Sequence, residues 1–243
     1  MRIFPDVEPL SAAAAELIAG AARREIARRG RFTVALSGGA TPRRTYELLA
    51  DQYGGQILWG RVELFLGDER WVPPGDPESN FAMLRDTLVS RVPIPSERVH
   101  PIRTVGVTPE ESSHEYESLL RNTFADADVA EPRTFDLTLL GVGADGHTAS
   151  LFPGSAALEE RVRWVRPVES PGARTPLRIT LTLPVISASR RILVLCAGAS
   201  KRAVAEAILG GAPTALEYPA ARVSGAEETT WFLDRAAAGA LAS

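Results

Sequence analysis

Apolar positions along this chain follow two periods, and the switches between them mark out the elements. From 9 to 29, Ala14, Leu17, Ile18, Ala21 and Ile26 recur at helical spacing, the stripe of an amphipathic helix. Phe32-Thr33-Val34-Ala35-Leu36 then reads as a strand ending at Ser37-Gly38-Gly39. Thr41-Pro42 predicts a helix start, with threonine as N-cap and proline in the first helical position. Val62-Glu63-Leu64-Phe65-Leu66 is the next strand, ending at Gly67-Asp68-Glu69-Arg70-Trp71. A loop rich in Pro, Gly and Asp over 72–78 precedes a short helix led by Asn80, with Phe81, Leu84 and Leu88 inward. Thr108-Pro109-Glu110-Glu111 fits a capping box before a helix carrying Tyr116, Leu119 and Leu120.

In the second half, Phe135-Asp136-Leu137-Thr138-Leu139-Leu140 reads as a buried strand. Leu177 to Leu183 alternates cleanly, as a half-buried strand does, and Arg191 to Cys196 reads as a fully buried one. Ser200 is placed to cap a helix that carries Lys201 and buries Val204 and Ile208, and Thr229 to Leu233 is a last short strand. Strands alternating with helices predict an α/β protein: a doubly wound, mostly parallel sheet with helices on both faces. With no internal repeat and no low-complexity linker, residues 1–243 read as one domain.

Composition narrows the partners. The chain has 243 residues, 45% apolar and 23% charged, as in an ordinary soluble globule. A net charge of −3 gives no basic field for nucleic acid or an anionic membrane. No apolar run approaches the roughly 18 residues a membrane span needs, and the N-terminus lacks the apolar core of a signal peptide. The single cysteine, Cys196, excludes an intrachain disulfide and suits a reducing cytoplasm. One cysteine and three scattered histidines, His100, His114 and His147, lack metal-ligand spacing, so no metal site is expected. Of 27 basic residues Lys201 is the lone lysine, a compact point charge where arginine offers a planar fork.

The chemistry gathers at strand ends. Ser37-Gly38-Gly39, Asp68-Glu69-Arg70, Asp145-Gly146-His147 and Gly198-Ala199-Ser200-Lys201 all follow strands, and in a parallel sheet these loops meet at the carboxyl edge, where ligands bind. The first loop reads as an anion cradle, its glycines exposing N–H groups beside the positive end of a helix. It is not a Walker loop, because no Gly-Lys-Ser/Thr follows. Gly141 to Gly146 spells G-x-G-x-x-G, but Pro153 and Gly154 leave no room for the long helix a dinucleotide site requires. Histidine titrates near neutrality, so His147 is the candidate base. No G-x-S-x-G elbow points to a serine hydrolase.

Taken together, these segments resemble the 6-phosphogluconolactonase family. The matching pieces are Leu36 to Pro42, Gly67 to Pro73 with Ser79-Asn80, Gly141 to Pro153, Arg178 to Leu181 with Pro184, and Gly198 to Lys201. The resemblance implies a fold shared with sugar-phosphate isomerases, a small sugar-phosphate lactone as substrate, and no cofactor. It implies a phosphate on Ser37, Gly38, Gly39 and Thr41, held also by Arg178 and Lys201. Asp68, Arg70 and Asn80 would line the sugar ring, and Gly146 would belong to the binding loop. His147 would be the general base and Asp145 its partner. A cytoplasmic protein, monomeric, with no nucleic-acid or membrane partner, is the matching expectation. The related glucosamine-6-phosphate deaminases share an Asp-Gly-His segment. They have Asp-Glu-Tyr in place of Asp68-Glu69-Arg70, and an acidic residue where this chain has Phe152. Regulators that reuse the fold need a DNA-binding module, and no basic helix-turn-helix is present.

Overall fold

The computed structural model describes residues 1–125, 134–170 and 173–242. The chain opens with strand β1 (Arg2–Phe4) and helix α1 (Val7–Arg29), then β2 (Phe32–Leu36), α2 (Ala40–Tyr53), β3 (Val62–Leu66) and β4 (Asp68–Arg70). Helix α3 (Asn80–Thr87), β5 (Val99–His100), α4 (Pro109–Phe124), β6 (Leu137–Gly141), β7 (Val165–Glu169) and β8 (Leu177–Leu181) follow. Last come α5 (Leu183–Ser187), β9 (Arg191–Cys196), α6 (Arg202–Leu209), β10 (Glu228–Asp234) and α7 (Arg235–Ala238). No helix among the described residues is long and apolar enough to cross a membrane.

Local chemistry sets the helix ends. The Asp6 carboxylate accepts the N–H of Glu8 to start α1, and Gly30, at φ 75°, turns left-handed to end it. Between them Leu10, Ala14, Ile18 and Ala22 bury one face, four residues apart, against the core. The capping box at Thr108 is fully formed, with both reciprocal bonds to Glu111.

Seven strands form one parallel sheet in the order β1-β10-β9-β6-β2-β3-β5. All five residues of β2 are buried, as expected for a strand covered on both faces. From β2 the chain steps to β3 and β5 on one side. It then returns across β2 to β6 and steps to β9 and β10 on the other. The doubly wound sheet therefore has its switch point between β2 and β6, where open α/β sheets place ligands.

Three sequence expectations are corrected here. Helix α2 begins at Ala40 with Gly39 in the capping position and no side-chain cap, so Thr41 and Pro42 lie inside the first turn. Ser200 does not cap α6; it sits in a single tight turn, Ala199–Lys201, and Lys201 itself occupies the capping position. The alternating segment from Leu177 does form a strand, β8, but outside the main sheet. It pairs antiparallel with β4 and β7 in a separate three-stranded sheet.

At the opposite edge of the main sheet, Asp136 is a buried fastener. Its Oδ2 accepts from the N–H of Thr33 at 2.9 Å and from Thr33 Oγ1 at 3.1 Å. Arg29 Nη1 lies 3.2 Å and Arg190 Nε 3.6 Å from its Oδ1. Burial pushes this carboxyl above its ordinary range, and the Thr33 bonds and the Arg29 charge pull it back. Asp136→Ala is expected to lower stability by about 2–3 kcal/mol. This is below the range for fully buried pairs because both arginines reach water. The denaturant midpoint measures it.

Candidate active site

The β2 end of the site is built by close packing. Ser37 follows the buried Leu36, and its carbonyl accepts the hydroxyl of the fully buried Tyr46 at 2.7 Å. Gly38 cannot carry a side chain, because a Cβ there would overlap the Asn80 amide. Gly39 takes φ 109°, a conformation that favours glycine, and opens α2 with its first N–H groups unclaimed by any side-chain cap. Ser37, Gly38, Gly39, Thr41 and Pro42 line a cavity of about 320 Å³, within the usual size for small-ligand sites.

Strand β4 supplies the second wall by alternation. Asp68 and Arg70 line the cavity, while Glu69 between them does not. Asp68, 4% exposed, accepts from Ser150 Oγ at 2.6 Å and from Asn80 Nδ2 at 3.2 Å. The antiparallel register sets Arg178 of β8 directly opposite Arg70. Hydrogen bonds of these two guanidiniums go to carbonyls, Arg70 Nη1 to Glu78 O at 2.7 Å and Arg178 Nε to Thr175 O at 3.2 Å. Burial first, and then the charge of Arg70, holds Arg178 below its usual range, though an arginine stays protonated at any physiological pH. Lys201 adds a third cation to the lining. Three cations and the positive end of α2 around one cavity suit an anion chemically. Ser37 Oγ, Asn80 Oδ1 and Arg70 Nε, on residues of this lining, are buried without a hydrogen-bond partner among the described residues.

The β6 loop carries the candidate base. Asp145 Oδ1 lies 2.6 Å from His147 Nδ1 and also accepts the His147 N–H at 3.2 Å. A carboxylate only accepts, so Nδ1 is the donor in this bond, and in the neutral ring Nε2 is then the acceptor, the arrangement suited to a general base held by a carboxylate. Burial pushes the Asp145 carboxyl up, but the His147 charge and hydrogen bonds outweigh it and hold the carboxyl below its ordinary range. The His147 ring leans on Phe152, with centroids 4.7 Å apart, and the Arg178 guanidinium lies 5.4 Å from the same ring. Ala149 adopts φ 49°, a strained left-handed conformation for a residue with a side chain. Thr148 Oγ1 fastens the turn, donating to Gly141 O at 2.8 Å.

The cavity thus gathers Ser37, Gly38, Gly39, Thr41, Asp68, Arg70, Asn80, His147, Arg178 and Lys201 from the sequence reading. Asp145 stands behind His147, outside the lining. Gly146 is also outside it: at φ 79° it turns the loop, and a Cβ there would collide with the Tyr218 ring. Two residues had no role in the sequence reading, and a third, Phe152, was read only as a departure from the deaminases. Gly143 lies so close to the dyad that a Cβ would overlap both His147 Nδ1 and Asp145 Oδ1. Ser150 ties the β6 loop to Asp68, and Phe152 backs the base. Their signal was membership of the 141–153 segment, which gives no role for each. No group of three or more His, Cys, Asp or Glu side chains among the described residues is placed to hold a metal ion.

A doubly wound α/β fold with a cationic, histidine-bearing cavity at its switch point defines an enzyme for small anionic substrates. A family model described as glucosamine-6-phosphate isomerases/6-phosphogluconolactonase matches residues 5–231, and the chain belongs to this family. It is 39% identical over 240 aligned positions to a 6-phosphogluconolactonase of Nostoc sp., covering 99% of this chain and 97% of that protein. It is 40% identical over 247 aligned positions to a 6-phosphogluconolactonase of Mycobacterium tuberculosis, covering 100% and 98%. The solved 6-phosphogluconolactonase of Thermotoga maritima aligns with a TM-score of 0.83 at 31% identity, over 96% of this chain and 98% of that one.

Proposed function

We infer that the protein hydrolyses 6-phospho-D-glucono-1,5-lactone to 6-phospho-D-gluconate, in the oxidative pentose phosphate pathway. The observation that carries this reading is His147, paired with Asp145, on the wall of a cavity that also holds three cations. In this reading the phosphate rests on the Ser37–Thr41 turn with Arg178 and Lys201, and Asp68, Arg70 and Asn80 meet the sugar. His147 Nε2 takes a proton from water as the oxygen attacks C1. The tetrahedral intermediate then collapses, the bond from C1 to the ring oxygen breaks, and the imidazolium returns the proton to that oxygen. Arg70 and the backbone N–H groups of the loop are the candidate donors for the oxyanion.

Deamination of glucosamine 6-phosphate is the rival within the family. Phe152, resting against His147, puts an apolar ring where the deaminases carry an acid for ring opening. A coupled assay decides between the two. Glucose-6-phosphate dehydrogenase generates the lactone, and its disappearance is followed with and without this protein. Loss faster than the spontaneous rate supports the lactonase, while no acceleration together with ammonia release from glucosamine 6-phosphate overturns it. Arg178→Ala is expected to raise KM about ten-fold or more with a smaller effect on kcat, since a charge-assisted bond to phosphate serves ground and transition states alike.

A further inference from the structure

Glu69 is a buried carboxylate that the proposed reaction does not use. It is 2% exposed, yet it lies between two residues of the cavity wall. Its Oε1 accepts from the N–H of Arg70 at 2.8 Å and of Asn80 at 2.7 Å. Its Oε2 accepts from Ser79 Oγ at 3.0 Å and from the N–H of Phe81 at 2.8 Å. One carboxylate therefore fastens the β4 backbone at Arg70 to the first residues of α3, where a helix leaves N–H groups unpaired. Asn80, set by this contact, reaches forward to the Asp68 carbonyl at 2.9 Å and its carboxylate at 3.2 Å.

We propose that Glu69 is a positioning residue for the substrate: by clamping β4 to the start of α3 it sets the spacing of Asp68, Arg70 and Asn80 on the cavity wall. Strand alternation supports the division of labour. Asp68 and Arg70 face the ligand and Glu69 faces the scaffold behind them. The base is held separately, by Asp145 on the β6 loop, so loss of the clamp acts on sugar binding before it acts on proton transfer. The desolvation of Glu69 pushes its carboxyl above the ordinary range, and the bonds from Phe81, Asn80, Arg70 and Ser79 counter it only in part. A second cavity of about 310 Å³ lies behind, lined by Glu69, Ser79, Phe81 and neighbours. It gives an altered side chain room to turn away, so the clamp can be released without a clash.

The proposal rests on the lactonase reading, and its test separates the two. Glu69→Gln keeps the shape but turns one acceptor oxygen into a donor facing N–H or O–H groups. Glu69→Asp keeps the charge but draws the carboxylate back from α3. Both are expected to raise KM for the lactone about ten-fold while kcat falls less than about three-fold, the pattern of lost uniform binding. Ser79→Ala, which removes one donor of four, is expected to shift KM the same way by about two- to three-fold. Calorimetric binding of 6-phosphogluconate should weaken in parallel and needs no turnover. A fall in Tm with KM and product affinity unchanged below the melting transition would make Glu69 a merely structural group and overturn the proposal. A rescue of KM by Glu69→Asp alone would also overturn it, since charge and not the clamp would then be what matters. An inactive wild-type protein sinks the lactonase reading instead. Binding of glucosamine 6-phosphate to wild type and Glu69→Gln then decides the clamp, with equal affinities counting against it.

Discussion

His147→Ala is expected to lower kcat by about 10²–10⁴-fold, the usual contribution of a positioned base, while leaving the affinity for 6-phosphogluconate within a few-fold. The separation follows from the geometry. The cations that would hold the phosphate, Arg178 and Lys201, come from β8 and the start of α6, whereas the proposed base comes from the β6 loop. Stopped lactone decay gives kcat, and calorimetry with the product gives affinity; full activity in the variant would remove His147 from the reaction. Asp145→Asn is expected to cost about 10–100-fold in kcat. An amide can hold the ring but not fix its proton as a carboxylate does, and the partial exposure of Asp145 softens the loss. The carboxyl of Asp145 is held below its ordinary range, so the stability it adds is present above the unfolded carboxylate value of about 3.9. It is lost as pH falls through the still lower folded value. Activity that declines between pH 5 and 7 is thus expected to trace to groups other than Asp145, and the profile of Asp145→Asn checks this.

Much of this site was legible because a parallel sheet converts sequence order into spatial convergence. Once β2, β6 and β9 are recognised as buried apolar runs, the polar residues that follow them must meet at one edge. What the pattern hid has physical causes. Strands β1 and β5, of three and two residues, are too short for any periodicity to register. Strand β7 carries Arg166 and Pro167 at its centre, which interrupts any apolar alternation even though its antiparallel partner, β8, is the next strand in the chain. The alternation of Leu177 to Leu183 was a correct sign of a half-buried strand. It also fits an antiparallel sheet with one face open, and only the tertiary pairing with Asp68 to Arg70 brings Arg178 opposite Arg70. Likewise Asp68 and Glu69 look alike as adjacent carboxylates. One faces the cavity and the other caps α3, a distinction made by a helix eleven residues downstream.

Gly143→Ala is expected to cost about a hundred-fold in kcat with little change in Tm. The two effects separate because of what the new methyl group would strike. Gly143 has no left-handed conformation to lose, and its N–H bonds to His147 O at 2.8 Å as any residue's would. The atoms a Cβ would overlap are His147 Nδ1 and Cε1 and Asp145 Oδ1, the ends of side chains that can swing aside. The fold therefore yields easily, but it yields by breaking the 2.6 Å contact that fixes the base. Misplacing a catalytic group by about 1 Å is enough to cost roughly 10² in rate. Gly146→Ala strikes elsewhere: its Cβ would meet the Tyr218 ring at φ 79°, so strain enters the backbone and the loop packing together, and Tm should fall. Measuring kcat and Tm for both variants places the two glycines of one loop on different axes. If Gly143→Ala kept wild-type turnover, the dyad would not be the source of the reaction's base.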